Sequence, residues 1–511
     1  MKGFSGESMT KRRAGLLLPM FSVPANQGIG DLGQKTIRMI DEIAAAGYKI
    51  WEILPLQMTG VSHSPYQTLS SFAGDPIYIN IDRLSEIGLL TQSSIVNCNK
   101  FKDVVYYDEV RAFKETYFRK AFRVFRKNFE MYKEEFEKFA SEAFWLKDWC
   151  IYALFKSLYD NVAWIDWEEE YRDYPLDPSN IDLKEHQNEL FYQAFLQFIF
   201  YKQLDEVTEY AHSKGLMIMN DMPFYVDYDS AEVWMNRARF LLGENGRPSF
   251  VAGCPPDTLT KGQRWDMPLY NFKAQAAEGY RFWKDRASWL SRNFDILRID
   301  HFRAFDKYWR IPADKDPKQG RWVKGPGQEL LEILIRTCPH TEWAAEDIGD
   351  FGKGVDSLEE QFHIPGMEIL IDHLDTKSLK KPFKKDIILY SGTYDSPTCE
   401  EEYGECDSNK RISLRRFFKK RGYNARAFHD MFCPFALDSD ADTVILTMQD
   451  VCGYKGQTRI NVTGTVDEKN WTWKLKDFKT FPAEMEKSKQ WIERSGRSDQ
   501  NTEKEIQLDI E

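Results

Sequence analysis

Eight short apolar runs recur along the chain, each hydrophobic almost throughout and each ending in polar or turn-forming residues. In order they are AGLLLPM from Ala14, YKIWEILPL from Tyr48, GLMIMNDMPF from Gly215, FDILRID from Phe294, EWAAED from Glu342, GMEILID from Gly366, DIILYSGTYD from Asp386 and DTVILTMQD from Asp442. None alternates polar with apolar, so none reads as a strand with one wet face. Continuous apolar runs separated by helix-length segments are the pattern of parallel strands buried on both faces and joined by crossovers. Eight such units predict an α/β fold, a (β/α)8 TIM barrel.

The spacing of the runs is uneven. Between the end of the second run near Leu56 and the third near Gly215 lie about 160 residues, several times a normal crossover, so a large, mainly helical insertion is expected there. The division this predicts is a barrel start at 1–80, an inserted helical subdomain at 81–212, the rest of the barrel at 213–487 with a long loop near 245–272, and a polar tail at 488–511. Within the insertion Phe118, Phe122, Phe125, Phe129, Tyr132, Phe136 and Phe139 follow 4-3 spacing, which predicts an aromatic stripe on one helix face, turned to the core. The interleaved Arg119, Arg123 and Arg126 are followed at once by Glu130, Glu134, Glu135 and Glu137. That is a solvated mixed-charge face rather than a nucleic-acid surface.

Composition narrows the class. With 511 residues, 42% hydrophobic, the chain can bury a large core. Its net charge of -11, without a basic face, argues against nucleic acid or an anionic membrane as partner. No apolar run reaches the roughly 18 residues of a membrane span, and residues 1–13 lack a signal peptide's apolar stretch, so a cytoplasmic protein is expected. The eight cysteines, Cys98, Cys150, Cys254, Cys338, Cys399, Cys406, Cys433 and Cys452, form no CxxC pair and read as reduced thiols.

One motif points elsewhere. QGIGDLG, residues 27–33, contains the G-x-G-x-x-G of a dinucleotide-binding loop. That loop must follow a strand directly. Here about nine residues, including Pro24, separate the glycines from the first run. Glu52, about 20 residues on, lies inside an apolar run instead of at a strand end where it could hold a ribose.

In a (β/α)8 barrel the chemistry sits at the C-terminal ends of the strands. Asp300 closes FDILRID, Glu346 closes EWAAED, Asp395 closes DIILYSGTYD, and Asp221 follows the third run in the same way. Acids converging on one mouth without Cys or clustered His ligands suit glycoside cleavage, where one carboxyl protonates the leaving oxygen and another attacks or stabilises the anomeric centre. The alternative, a magnesium site, would call for a phosphate-cradling loop that the sequence lacks.

Several longer motifs then carry a resemblance. RIDHFRAF (298–305), AAEDIG (344–349), SPYQTLSSFAG (64–74), VAGCPPD with GQRWDMPLY (251–270), PGMEIL (365–370), GIGDLG and MQDVCGYKGQTRINVTGT resemble the amylomaltases, the 4-alpha-glucanotransferases of glycoside hydrolase family 77, and stand along the chain in that family's order. The resemblance runs from about Arg13 to about Leu475. It implies a retaining transfer of alpha-1,4-glucan segments between maltooligosaccharides, with no metal and no cofactor. Asp300 matches the nucleophile, Glu346 the general acid/base, and Asp395 the acid that grips the sugar's hydroxyls. Arg298 would hold Asp300 ionised by its positive charge, and His301 would donate to the sugar. Tyr66 resembles the aromatic platform under the reacting glucose, with Ser64 and Gln67 orienting its loop. Trp265 resembles the acceptor-side aromatic of the long loop near 245–272, and Asp221 a further acid of the site.

The chain departs from the family where GTHDNDT reads GTYDSPT, so that Tyr394 replaces a sugar-binding His and Ser396 and Pro397 replace Asn and Asp. It departs again where GQRWGNP reads GQRWDMP, and around PGM, where His363, Ile364 and Glu368 stand. Two other functions fit the same acids: an amylase-like alpha-glucan hydrolase, and a glucan-binding protein in which the changes at 394–397 have silenced catalysis.

Overall fold

A continuous apolar run makes a strand that needs cover on both sides, and the eight runs find it by closing on one another. The computed structural model describes residues 12–95, 104–256, 261–349 and 353–498; Cys98, part of the loop near 245–272 and the chain from 499 lie outside the described residues. The barrel strands are β1 (Arg13–Leu17), β2 (Ile50–Glu52), β3 (Met217–Pro223), β4 (Ile296–Asp300), β5 (Glu342–Ala345), β6 (Gly366–Ile369), β7 (Ile387–Tyr390) and β8 (Thr443–Thr447). Each falls within one of the apolar runs, save that β1 begins one residue earlier, at Arg13. All are parallel, in the order β6-β7-β8-β1-β2-β3-β4-β5. The ring closes between β5 and β6, where Ala345 N donates to Pro365 O at 2.9 Å. The molecule is a (β/α)8 barrel.

Between β2 and β3 the chain is largely helical. The aromatic stripe is core, as its spacing predicts, with Phe118, Phe122, Phe125 and Phe139 all buried. It does not lie on one helix, however: helix Tyr107–Lys127 ends at Asn128, and the stripe resumes on a second helix, Lys133–Glu142. Across this break Phe125 stays within 6.0 Å of Phe129, Tyr132, Phe136, Phe191, Phe195 and Phe198. The last three stand on helix Gln187–Ser213. That long helix is apolar on more than one side because it serves two layers: it packs the insertion on one flank, and β3 and helix Gln34–Ala45 of the barrel on another. Of the stripe's arginines, Arg119 pairs with Glu115 and Glu189 at 2.6 Å each and stacks 3.6 Å above Tyr192.

GIGDLG receives its explanation here. Gly28 takes φ 95, the left-handed region, and a Cβ on Gly30 would stand 1.9 Å from Met20 O. Between them and helix Gln34–Ala45, Asp31 turns into the protein. It meets Lys114 of the insertion at 3.3 Å, both side chains wholly buried, and accepts from Asn80 Nδ2 at 2.9 Å. Lys114 also donates to Ile77 O and Ile79 O at 2.7 and 2.8 Å. The glycines tie the first barrel loop to the insertion.

Two features depart from the sequence reading. A second, antiparallel sheet is built from Gln263–Pro268, Phe250–Cys254, Lys307–Pro312 and Arg321–Lys324, in that order. The polar tail does not begin at 488. Helix Pro482–Arg494 runs past it, and Arg497, 2% exposed, donates to Leu437 O, Arg13 O, Asp442 O, Ser439 O and Ala441 O. Among the described residues no helix is long and apolar enough to cross a membrane, and Cys150, Cys338, Cys399, Cys406, Cys433 and Cys452 are free thiols.

Candidate active site

Strand direction decides what reaches the barrel mouth. Asp300 is the last residue of β4, and Glu346 follows β5 by one residue. The two strand ends are stitched together: Glu346 N donates to Ile299 O at 2.9 Å, Phe302 N to Glu346 O at 3.0 Å, and His301 N to the Glu346 carboxyl at 2.6 Å. His301 makes that last bond from the left-handed region, φ 55. Asp395 and Asp221 stand differently from expectation. β7 ends at Tyr390, so Asp395 sits five residues later on a turn, where Asn461 Nδ2 grips its carboxyl at 2.6 Å. Asp221 lies within β3, its side chain buried.

These elements enclose a cleft of ≈ 220 Å³ lined by Ser64, Tyr66, Gln67, Pro223, Tyr225, Gln263, Trp265, Met267, Asp300, His301, Tyr394, Asp395, Asn461, Thr463, Gly464 and Trp471. Volume does not single it out, since an equal crevice lies between Trp145, Glu232 and Arg281. The convergence of strand ends does. Of the residues singled out from sequence, Ser64, Tyr66, Gln67, Trp265, Asp300, His301, Tyr394 and Asp395 line it; Glu346 stands just behind, bonded to His301 N, and Asp221 and Arg298 form the layer below. Tyr225, Asn461 and Trp471 are absent from the sequence reading. Asn461 stands in TRINVTGT, a segment that resembles the family but carries no charge to mark a role.

Two aromatic walls face each other. Tyr66 lies 5.1 Å from Tyr394 and 5.9 Å from Trp471, ring centre to ring centre, while Trp265 meets His301 edge-on at 4.9 Å. Ser64 Oγ accepts from Tyr66 N at 3.3 Å, and Gln67 N donates to Ser64 O at 3.0 Å, which fixes the Tyr66 loop. Asp266, where the family's loop has glycine, takes φ 59; Asp tolerates that region better than most residues, and an Arg264 bond at 2.5 Å holds it.

Arg298 meets its expectation in part. Its positive charge does pull Asp300 down, but burial outweighs it, and its hydrogen bonds go to Asp221, Nε to Oδ1 at 2.8 Å and Nη2 to Oδ2 at 2.5 Å. Nη2 also donates to the Tyr394 hydroxyl at 3.1 Å, and Tyr66 donates to Asp221. Burial raises Asp300 well above the usual carboxylate range, with Glu346, Asp221 and Asp395 adding to the rise and Arg298 alone opposing it. Glu346 is pushed up to about 7, by burial above all. Two carboxyls so far out of water and so near in charge resist ionising together. Burial also raises Asp395, against the Asn461 bond. His301 is held neutral, pushed down to about 3 by burial and by Arg303, and its Nε2 has no hydrogen-bond partner.

A parallel eight-stranded barrel whose strand ends carry acids to one aromatic cleft is the architecture of enzymes that cleave or remake glycosidic bonds. Residues 18–480 match the model of the 4-alpha-glucanotransferases, glycoside hydrolase family 77, and the chain belongs to that family. It is 33% identical over 479 residues to the 4-alpha-glucanotransferase of Aquifex aeolicus, covering 91% of this chain and 96% of that one. To the Thermus thermophilus 4-alpha-glucanotransferase it is 32% identical over 485 residues, 91% of this chain and 95% of that one. The amylomaltase of Streptococcus agalactiae, solved in complex with acarbose, superposes with a TM-score of 0.89 at 26% identity, over 96% of this chain and 100% of that one.

Proposed function

We propose that this protein is a retaining 4-alpha-glucanotransferase that moves alpha-1,4-glucan segments between maltooligosaccharides. The observation that supports it best is the pair of buried acids Asp300 and Glu346 on adjacent, cross-bonded strand ends, both raised above the usual carboxylate range, since the reaction needs one carboxyl charged and its neighbour protonated. Asp300 attacks the anomeric carbon while Glu346 gives its proton to the departing oxygen. Positive charge developing at the sugar favours the ionised form of Asp300, and Glu346, pushed up to about 7, keeps the proton it must give. Glu346 then takes the proton of an acceptor's 4-hydroxyl, whose oxygen displaces Asp300. Two inversions retain the configuration.

Asp395, held by Asn461, takes the sugar's hydroxyls. His301, neutral with Nε2 unpartnered, donates to another. Tyr66 and Trp265 stack on the glucan from opposite sides of the cleft, and Asp221 with Arg298 holds Tyr66 and Tyr394 in place. The free buried thiols fit a reducing compartment, so the cytoplasm is the proposed setting. Incubation with maltotriose tests the reading. Longer oligomers with glucose are expected; shorter sugars alone mean a hydrolase, and unchanged sugar with measurable binding means a silent binder.

A further inference from the structure

Below the cleft lies a carboxyl that the proposed reaction does not use. Glu52, the last residue of β2, is wholly buried, with its Oε1 3.8 Å from Nη1 of Arg298. The one polar group besides Arg298 that its oxygens meet is the hydroxyl of Tyr390, which faces them from β7 and has no other partner. A carboxylate out of water with a single phenol for company is a costly state, and a buried acid escapes it by keeping its proton. The stronger bonds of the cation at hand are made elsewhere: Arg298 gives Nε and Nη2 to Asp221 and Nη2 to Tyr394, while Nη1, the nitrogen nearest Glu52, meets only Met367 Sδ at 3.9 Å. Burial accordingly pushes Glu52 up to about 8 against the pull of Arg298.

We propose that Glu52 is a positioning residue that works as a neutral acid, supporting the far edge of the Arg298 guanidinium while leaving its charge to Asp221 and the acids of the cleft. The titratable groups that face it are Arg298 on β4, Asp221 on β3 and Tyr390 on β7; β1, paired with it at Leu17, adds none there. An ionised Glu52 would compete with Asp221, draw Nη1 towards β2 and slacken the Nη2 bond to Tyr394. It would also add a negative charge beneath Asp300, the group that must ionise for attack.

This inference rests on the glucanotransferase reading, and two variants with two measurements separate them. Glu52→Gln has the shape of the neutral acid; Glu52→Met has a similar volume and no polar end. On maltotriose at pH 6 the Gln variant is expected within about threefold of wild type in kcat and KM. The Met variant is expected to lose about tenfold or more in kcat with KM little changed. Above about pH 8 the alkaline fall of kcat should steepen from one proton to two in wild type and stay at one in Glu52→Gln. A tenfold loss in the Gln variant, an unaltered Met variant, or alkaline limbs equally steep would each overturn the proposal. Infrared difference spectra of wild type minus Glu52→Gln at pH 6 need no turnover: a protonated-carboxyl C=O band supports the proposal and its absence overturns it, even should Glu52→Met fail to fold. If wild type makes no longer oligomers, the transferase reading falls and the band still decides Glu52.

Discussion

Asp300 attacks only as a carboxylate, and an amide in its place removes that charge without changing its shape. Asp300→Asn is expected to lower kcat by at least about 10³-fold with maltotriose binding largely retained, and near-normal turnover would end its assignment as nucleophile. Tyr394 tests a departure from the family. Its oxygen accepts from Arg298 at 3.1 Å, and its own proton remains for a sugar hydroxyl. Tyr394→Phe should therefore cost about tenfold or more in kcat/KM, the worth of one transition-state hydrogen bond of about 1.5 kcal/mol. Tyr394→His should give no large gain, because the imidazole would have to replace a donor already seated on Arg298. A hundredfold gain in the His variant with an unchanged Phe variant would make Tyr394 a lesion. At this scale the strand-end acids are legible in sequence because an Asp or Glu ending an apolar run is conspicuous. The partner of Arg298 is not: Asp221 and Asp300 lie on adjacent strands, and only their register decides which one the guanidinium meets.

Elements carry their own signatures unequally. The barrel strands are legible because both faces are buried and apolar residues dominate them; among the exceptions Glu52, Asn220, Asp221 and Arg298 are buried as well. The second sheet is not, since KYWRIP and RWVK place Lys and Arg among their apolar residues and leave much of the strand in water. The aromatic stripe fixes what is buried but not the break at Asn128, because 4-3 spacing carries on through a change of helix. The tie between the first barrel loop and the insertion is equally silent in sequence, for Asp31 and Lys114 are 83 residues apart. Removing one partner of a wholly buried pair leaves the other charge stranded, so Lys114→Met should destabilise by about 3–5 kcal/mol in urea unfolding. Arg247→Ala, which removes the exposed ion pair with Asp166, should cost under about 1 kcal/mol. Equal costs would refute the claim that the buried pair is the structural one.

The whole molecule stores protons. Burial raises Glu346 and Glu232 to about 7 and Glu52 and Glu359 to about 8. In the unfolded chain these carboxyls ionise near 4.5, so over that interval the folded state binds more protons than the unfolded one. Their stabilisation is complete below the unfolded value and is lost as pH rises through 7 to 8. His301, pushed down to about 3, acts oppositely, but only below its ordinary value of about 6.5. From pH 6.5 to 8, therefore, Tm should fall in the absence of glucan; a rise would contradict the buried, protonated acids. The ring itself imposes an order on assembly. β1 pairs with β8, Arg13 beside Thr443, and Arg497 bonds back to Arg13. A chain emerging from a ribosome thus has its first strand in hand long before the strand that must flank it, and holds one raw edge through nearly all of synthesis. Closure waits on the C-terminal residues, so folding should be slow and a prematurely ended chain exposed to aggregation.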